Sequence, residues 1–344
     1  MNAVPSVPWM VYLLHLLNPW RMTLLFVVSG YASRALLSRS RGPARFAAAR
    51  SKRLLLPLLF GVCVLVVPQP WIEARVKDGY QHGFFWFWIH QYFNFDPSDG
   101  IDTPAFDHLW FVAYIWVYSM VVAIGAAVLP IGRARALQAA VERRLAGWRL
   151  LLLPIAWILF WRLVVCQGGI PSNRVLTDYQ GHPLYLPAFL FGFALARSEA
   201  LWAGILRCRK AAAVLALTAY LGLLWSDAGY PGAAMSEAAG RQIGFAFAIA
   251  MQWAAVIALL AFAERHFNRD HRWRATLTEA VFPVYIIHQT VIVALGWWLL
   301  LHPMPVWAQI PVLVAATCGA CWLFYRVGRS LPWLRPLVGL GPVR

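Results

Sequence analysis

The sequence predicts an all-α fold, a polytopic bundle of helices crossing a membrane. Three observations carry that expectation. First, 61% of the 344 residues are hydrophobic and only 13% are charged, with a mean hydropathy of +0.60. Soluble domains hold about 45–50% apolar and about 25% charged residues. Second, the apolar residues gather into nine runs, near 22–37, 53–70, 109–130, 149–166, 183–196, 211–226, 243–263, 278–301 and 306–326. Several are shorter than the ~20 residues that cross a bilayer and carry Pro or Gly, as helices packed against neighbours do. Third, the connecting loops alternate in charge.

Taken in order, the loop after the first run holds Arg34, Arg39, Arg41, Arg45, Arg50, Lys52 and Arg53. The next, 71–108, has only Arg75 and Lys77 against Glu73, Asp78, Asp96, Asp99, Asp102 and Asp107. Basic loops then recur at Arg133–Arg149, Arg197–Lys210, Arg265–Arg274 and Arg326–Arg344, separated by loops holding at most a single Arg. Of 30 basic residues, 24 fall on one side, five on the other, and Arg162 falls inside a run. The positive-inside rule makes the basic side cytoplasmic. The N-terminus is therefore expected outside and the C-terminus inside, after nine crossings of one membrane domain, 1–344.

The net charge of +16 is thus a topology signal with anionic-lipid contact, and its spread over five loops excludes a nucleic-acid footprint. No cleavable signal peptide is evident at the start. Cys63, Cys166, Cys208, Cys318 and Cys321 lie in or beside apolar runs. The C-x-x-C at Cys318 and Cys321 has no second ligand pair, so packing is expected there rather than a metal or redox centre.

The candidate functional residues follow the chain. Arg21, in NPWRM, opens the first run at its outer end, where a cation either snorkels to the interface or serves chemistry. Arg50 and Arg53 stand three apart where the second run leaves the cytoplasm. They form either a bidentate phosphate site or an ordinary basic flank. The aromatic run FFWFW at 84–88 reads as an interfacial helix on the outer face, and its flanking His82 and His90 are assigned no chemistry. At the mouth of the third run His108 sits beside carboxylates that would tune it for acid–base work, while Trp110 and Phe111 are substrate-facing or belt aromatics. Arg162, within the fourth run, lines an anionic path or snorkels outward.

Ala280–Trp298, AVFPVYIIHQTVIVALGWW, is the organising stretch. Tyr285, His288 and Gln289 share one helix face near its middle. Polar groups at membrane depth are functional candidates, the alternative being a hydrogen-bond knot between helices.

NPWRMTLLFVVSGY, RSKRLLLPLLFG, HLWFVAY and FPVYIIHQTVIVALG, in this order, resemble the acyltransferase 3 family of integral membrane acyltransferases. The closest resemblance is to the branch containing periplasmic-glucan O-succinyltransferases. It implies about ten membrane helices in a bacterial inner membrane and no bound cofactor. The implied activity transfers an acetyl or succinyl group from cytoplasmic acyl-CoA to a hydroxyl of an extracytoplasmic glycan. Arg21, His108, Tyr285 and His288 would line the reaction cavity, with His288 or His108 as acid–base group and Tyr285 or Arg21 as oxyanion stabiliser. Arg50 and Arg53 would bind the donor, joined by Gln289, Arg162 and Trp110 as substrate contacts. The family also has a first helix with an Arg near its start and a catalytic His near its outer end. The first run here matches the family's second helix, and His15 precedes the matched block, so a truncated chain or a member without catalysis is expected. A transporter of donor or lipid-linked sugar and a non-catalytic membrane partner remain the other readings.

Overall fold

The computed structural model describes residues 8–94, 103–166, 171–172, 174–175, 177–229, 236–302 and 304–341. Asp96, Asp99 and Asp102 of the acidic loop, and Arg344, lie outside them. Among the described residues the regular structure is all helical: α1 (Pro8–Arg39), α2 (Pro43–Phe60), α3 (Pro68–Lys77), α4 (Phe84–Trp86), α5 (Trp110–Val128), α6 (Ile131–Arg144), α7 (Arg149–Leu159), α8 (His182–Leu195), α9 (Glu199–Asp227), α10 (Glu237–His266), α11 (Arg274–Leu301) and α12 (Val306–Ser330). Among the described residues, six helical stretches are long and apolar enough to cross a membrane, or up to eight if each of two bent pairs counts as one span. The pairs, α6 with α7 plus its continuation and α8 with α9, bend by 97° and 110°. The protein is a multi-pass membrane protein. Each of the nine predicted runs falls on a helix, and the runs 183–196 and 211–226 are the two arms of the second bent pair.

The chain divides into two compact units, each built from two stretches. The first comprises 1–46 and 118–269; the second comprises 47–117 and 270–344.

In the first unit α1 is longer than its predicted run and reaches back to Pro8, so His15 lies within it. Small residues bring α1 and α8 together. A Cβ on Gly30 would collide with the backbone carbonyl of Phe189, and one on Gly192 with that of Val27. Reciprocal glycines let the two backbones touch, which is how helices associate where lipid offers no hydrophobic driving force. Phe26 and Val27 are buried in this contact, whereas Trp9, Tyr12, Leu13 and Leu16 point outward, as suits a lipid-facing start. Polar ties run to α10: Gln252 Nε2 donates to Thr23 Oγ1 at 2.7 Å, and Trp253 Nε1 donates to the Leu150 carbonyl of α7 at 2.8 Å.

In the second unit α2 continues through a π-helical turn, Gly61–Leu65, before Pro68 starts α3. Prolines at 68 and 70 lack N–H donors, so the carbonyls just before them lose helical partners. Side chains supply donors along this break in the helix. Tyr92 donates to the Val62 carbonyl at 2.7 Å, Trp88 Nε1 to that of Cys63 at 2.9 Å, and Thr290 Oγ1 to that of Leu65 at 2.8 Å. Burial pushes the Tyr92 pKa upward, keeping the phenol a donor. The aromatic run expected at the interface is docked on the protein: Phe87 and the neighbouring Tyr92 are buried, while Phe85, Trp86 and Ile89 face outward.

At the far end of α11, Glu279 accepts from Tyr325 at 2.9 Å and pairs with Arg335 at 3.4 Å and Arg329 at 3.6 Å. Arg335, read from sequence as a loop charge, is 9% exposed and also donates to the carbonyls of Gly341 and Arg329. Leu334, Val338 and Leu340 are buried around it, so the C-terminal tail is packed rather than loose.

Candidate active site

Within the second unit, three rings meet. The His108 and His288 centroids are 5.2 Å apart at 83°, and each lies 5.7 Å from the Tyr285 ring. Helix periodicity supplies two of them, since residues three apart on α11 stand one above the other. The third comes from the 3-10 turn Asp107–Leu109 that opens α5. Asp107 sits in the left-handed region at φ 39°, a conformation of some cost for a non-glycine residue, and the chain leaves it directly into His108. Next to it Leu109 is fully buried against Gly61, where any Cβ would strike the leucine side chain. The glycine of the π turn thus sets how closely the histidine-bearing turn approaches.

Both nitrogens of His108 are engaged. Nε2 faces the Ile286 carbonyl at 3.2 Å, which makes it the donor nitrogen, and Nδ1 accepts from Gln69 Nε2 at 3.5 Å. The same Gln69 amide donates to Thr290 Oγ1 at 2.8 Å, whose proton goes to Leu65. Tyr285 closes the frame by donating its phenolic proton to the backbone carbonyl of His108. His108 is therefore held from α3, α11 and its own main chain. The carboxylate tuning expected of it is replaced by an amide and a carbonyl, while Asp107 is exposed.

His288 differs. Its Nδ1 lies 2.6 Å from the Tyr285 carbonyl one turn back, which places the proton on Nδ1 and leaves the lone pair on Nε2. That nitrogen has no hydrogen-bond partner among the described residues. A half-buried imidazole with an oriented, unoccupied basic nitrogen is what general-base chemistry requires.

The other sequence-derived candidates take separate places. Gln289 is half-buried on α11 and forms no hydrogen bond with the ring trio. Trp110 packs edge-on against Tyr114, with centroids 5.1 Å apart. Arg50 and Arg53 both lie on α2, but Arg50 is 8% exposed and Arg53 is open, so they divide between an inner and an outer aspect. Arg21 and Arg162 belong to the first unit. Arg21 is exposed without a hydrogen-bond or ion-pair partner among the described residues. Arg162 sits 5.7 Å over the Phe245 ring, a cation–π contact in place of the expected cavity or carboxylate. Among the described residues no group of three or more His, Cys, Asp or Glu is arranged to hold a metal.

Comparison with known families decides the class. The model of the acyltransferase 3 family, an acyltransferase domain, matches residues 3–326. The chain belongs to this family. Neither a curated protein nor a solved structure matches it. The match runs through both units and starts ahead of Trp20, where the resemblance was read from motifs. An acyltransferase 3 protein with this arrangement contains two polar residues that sequence reading passed over. Gln69 lay hidden between two prolines, where it reads as an interfacial residue, and Thr290 is two positions past His288 on an otherwise apolar stretch. A polar residue at membrane depth was the available signal for Thr290.

Proposed function

We propose that this protein is a membrane O-acyltransferase that moves an acetyl or succinyl group from an acyl-CoA donor to a hydroxyl of an extracytoplasmic glycan. The observation that carries the reading is the free Nε2 of His288 beside a histidine whose own nitrogens are both occupied. His288 removes the proton of the acceptor hydroxyl as its oxygen attacks the thioester carbonyl carbon. The tetrahedral intermediate collapses with loss of the coenzyme A thiolate, which takes the proton back from His288. His108, its Nε2–H on Ile286 and its carbonyl on Tyr285, fixes the wall against which His288 turns. Tyr285 acts here as a clamp, since its phenolic proton is committed to that carbonyl.

The donor is bound at Arg50 and Arg53, whose guanidinium groups suit phosphate oxygens. Gln69 follows Arg50 by nineteen residues along the α2–α3 stretch, ~28 Å of helix, close to the ~30 Å of a hydrocarbon core. Placing the basic loops in the cytoplasm of a bacterial inner membrane then sets donor phosphates on one side and the histidines toward the other. Gln289 and Trp110 serve as secondary acceptor contacts in this reading.

The test uses membranes containing the full chain, a radiolabelled acyl-CoA and an added glucan. Label should pass to alkali-labile esters on the glucan, and His288→Ala should stop it. Undiminished labelling by that variant would remove His288 from the reaction, and labelled donor crossing the membrane without ester formation would favour a transporter.

A further inference from the structure

A cavity lies in the first unit. It has a volume of about 660 Å³ and is lined by Arg209, Lys210 and Ala213 of α9 and by Ala258, Leu259, Ala261, Phe262, Arg265 and His266 of α10. Helices α9 and α10 are successive, and the middle part of α9 and the last turns of α10 line this place.

The lining is ordered. Four of the nine lining residues, Arg209, Lys210, Arg265 and His266, are basic, and no carboxylate is among them. Among the described residues none of these four side chains is in an ion pair with a carboxylate. Arg209 donates Nη1 to its own helix at Leu206, 2.6 Å away, which steadies the guanidinium while leaving its other donors open. His266 packs on Phe262, with centroids 4.7 Å apart. One turn deeper the wall becomes apolar: Ala213 is a turn past Arg209 and Lys210, while Ala261 and Ala258 are one and two turns before Arg265. These small residues open a groove along the helix pair, and Phe262, 53% exposed, forms its rim. Glu264, on the last turn of α10, faces a different cavity beside Val27 and Tyr31.

We infer that this cavity is a binding site for an anionic phospholipid, with the phosphate held by Arg209, Lys210 and Arg265 and an acyl chain laid along the alanine groove. Basic residues alone would suit any phosphate. The change from cationic to apolar lining along the helix axis selects an amphiphile, since a soluble anion has no use for the apolar half. Basic side chains are drawn to the anionic headgroups of a cytoplasmic leaflet, while the alanines, one to two turns from them along the helices, suit its acyl region. The volume lies within the range of ordinary small-molecule sites, about 300–1,000 Å³.

The experiment is native mass spectrometry of the purified full chain, titrated with phosphatidylglycerol or with phosphatidylcholine of the same acyl chains. Phosphatidylglycerol should be retained in preference. Arg209→Gln with Arg265→Gln should weaken its retention by roughly 10- to 30-fold, while Arg209→Lys with Arg265→Lys should keep most of it. Equal retention of the two lipids, or undiminished phosphatidylglycerol binding by the glutamine variant, would overturn the assignment. Displacement of phosphatidylglycerol by coenzyme A or inorganic phosphate at equal concentration would do so too, in favour of a soluble phosphate ligand. Should the glutamine pair fail to fold, Lys210→Gln and Phe262→Gln, both at exposed positions, carry the same comparison from the headgroup and the groove sides.

Discussion

Each unit contains a histidine cluster, and the two are built to different ends. In the first unit Tyr118 lies 3.0 Å from His182 Nδ1, and His182 Nε2 lies 2.8 Å from the Val175 carbonyl. Nearby, Asp178 is buried and accepts from the backbone N–H groups of Ser172 and Gly181 at 3.0 and 2.9 Å. Donors and acceptors there are matched within the protein. In the second unit His108 is equally committed, but His288 spends one nitrogen on its own helix and keeps the other. Satisfied polar groups rigidify a membrane bundle, whereas an oriented but unspent one is available to a substrate. Proximity of histidine to tyrosine does not distinguish the clusters; the count of free nitrogens does.

The contrast is tested most severely by His288→Ala, expected to lower acyl transfer by about 10²–10⁴-fold with the melting temperature nearly unchanged. A variant retaining a tenth of the wild-type rate would erase the difference between the clusters. His182→Ala should do the opposite, destabilising the protein by ~1–3 kcal/mol in a detergent melt through the stranded Tyr118 and Val175 groups while sparing turnover per folded molecule. Turnover as low as that of the His288 variant would place the first cluster in the reaction. Thr290→Val leaves both the Leu65 carbonyl and a Gln69 N–H without a partner, and is expected to cost ~1–3 kcal/mol with a rate loss that His108 mobility explains. Smallest is Tyr285→Phe, the loss of one hydrogen bond, ~0.5–1.5 kcal/mol or up to about tenfold in rate. If it instead equals His288→Ala, Tyr285 stabilises an oxyanion and is more than a clamp.

Much of this was legible before any coordinates. Tyr285 and His288 stand out because helix spacing puts them together in an apolar run, and His108 because it opens another. Their meeting is not readable from spacing, since His108 and Ile286 are 178 residues apart. The π turn Gly61–Leu65 left no pattern in hydropathy, so the need for Thr290 and Tyr92 as surrogate donors was invisible. Charge counting placed Arg335 among topology residues because it registers sign and position but not burial. The nine runs were found as helices, while the bend between the 183–196 and 211–226 runs depends on Ala196–Ser198, a break that composition does not mark.

The interleaving of the two units sets an order of manufacture. Residues 47–117 leave the ribosome long before 270–344, with the whole of 118–269 made between them. Until α11 emerges, Gln69 lacks Thr290, 221 residues downstream, and His108 lacks Ile286. Glu279, once made, must still await Tyr325, Arg329 and Arg335, the last of them 56 residues later. The first half of the second unit is therefore made with open polar groups and completed only once 270–344 follow. The nascent chain lacks the His108–Tyr285–His288 arrangement until α11 has been made.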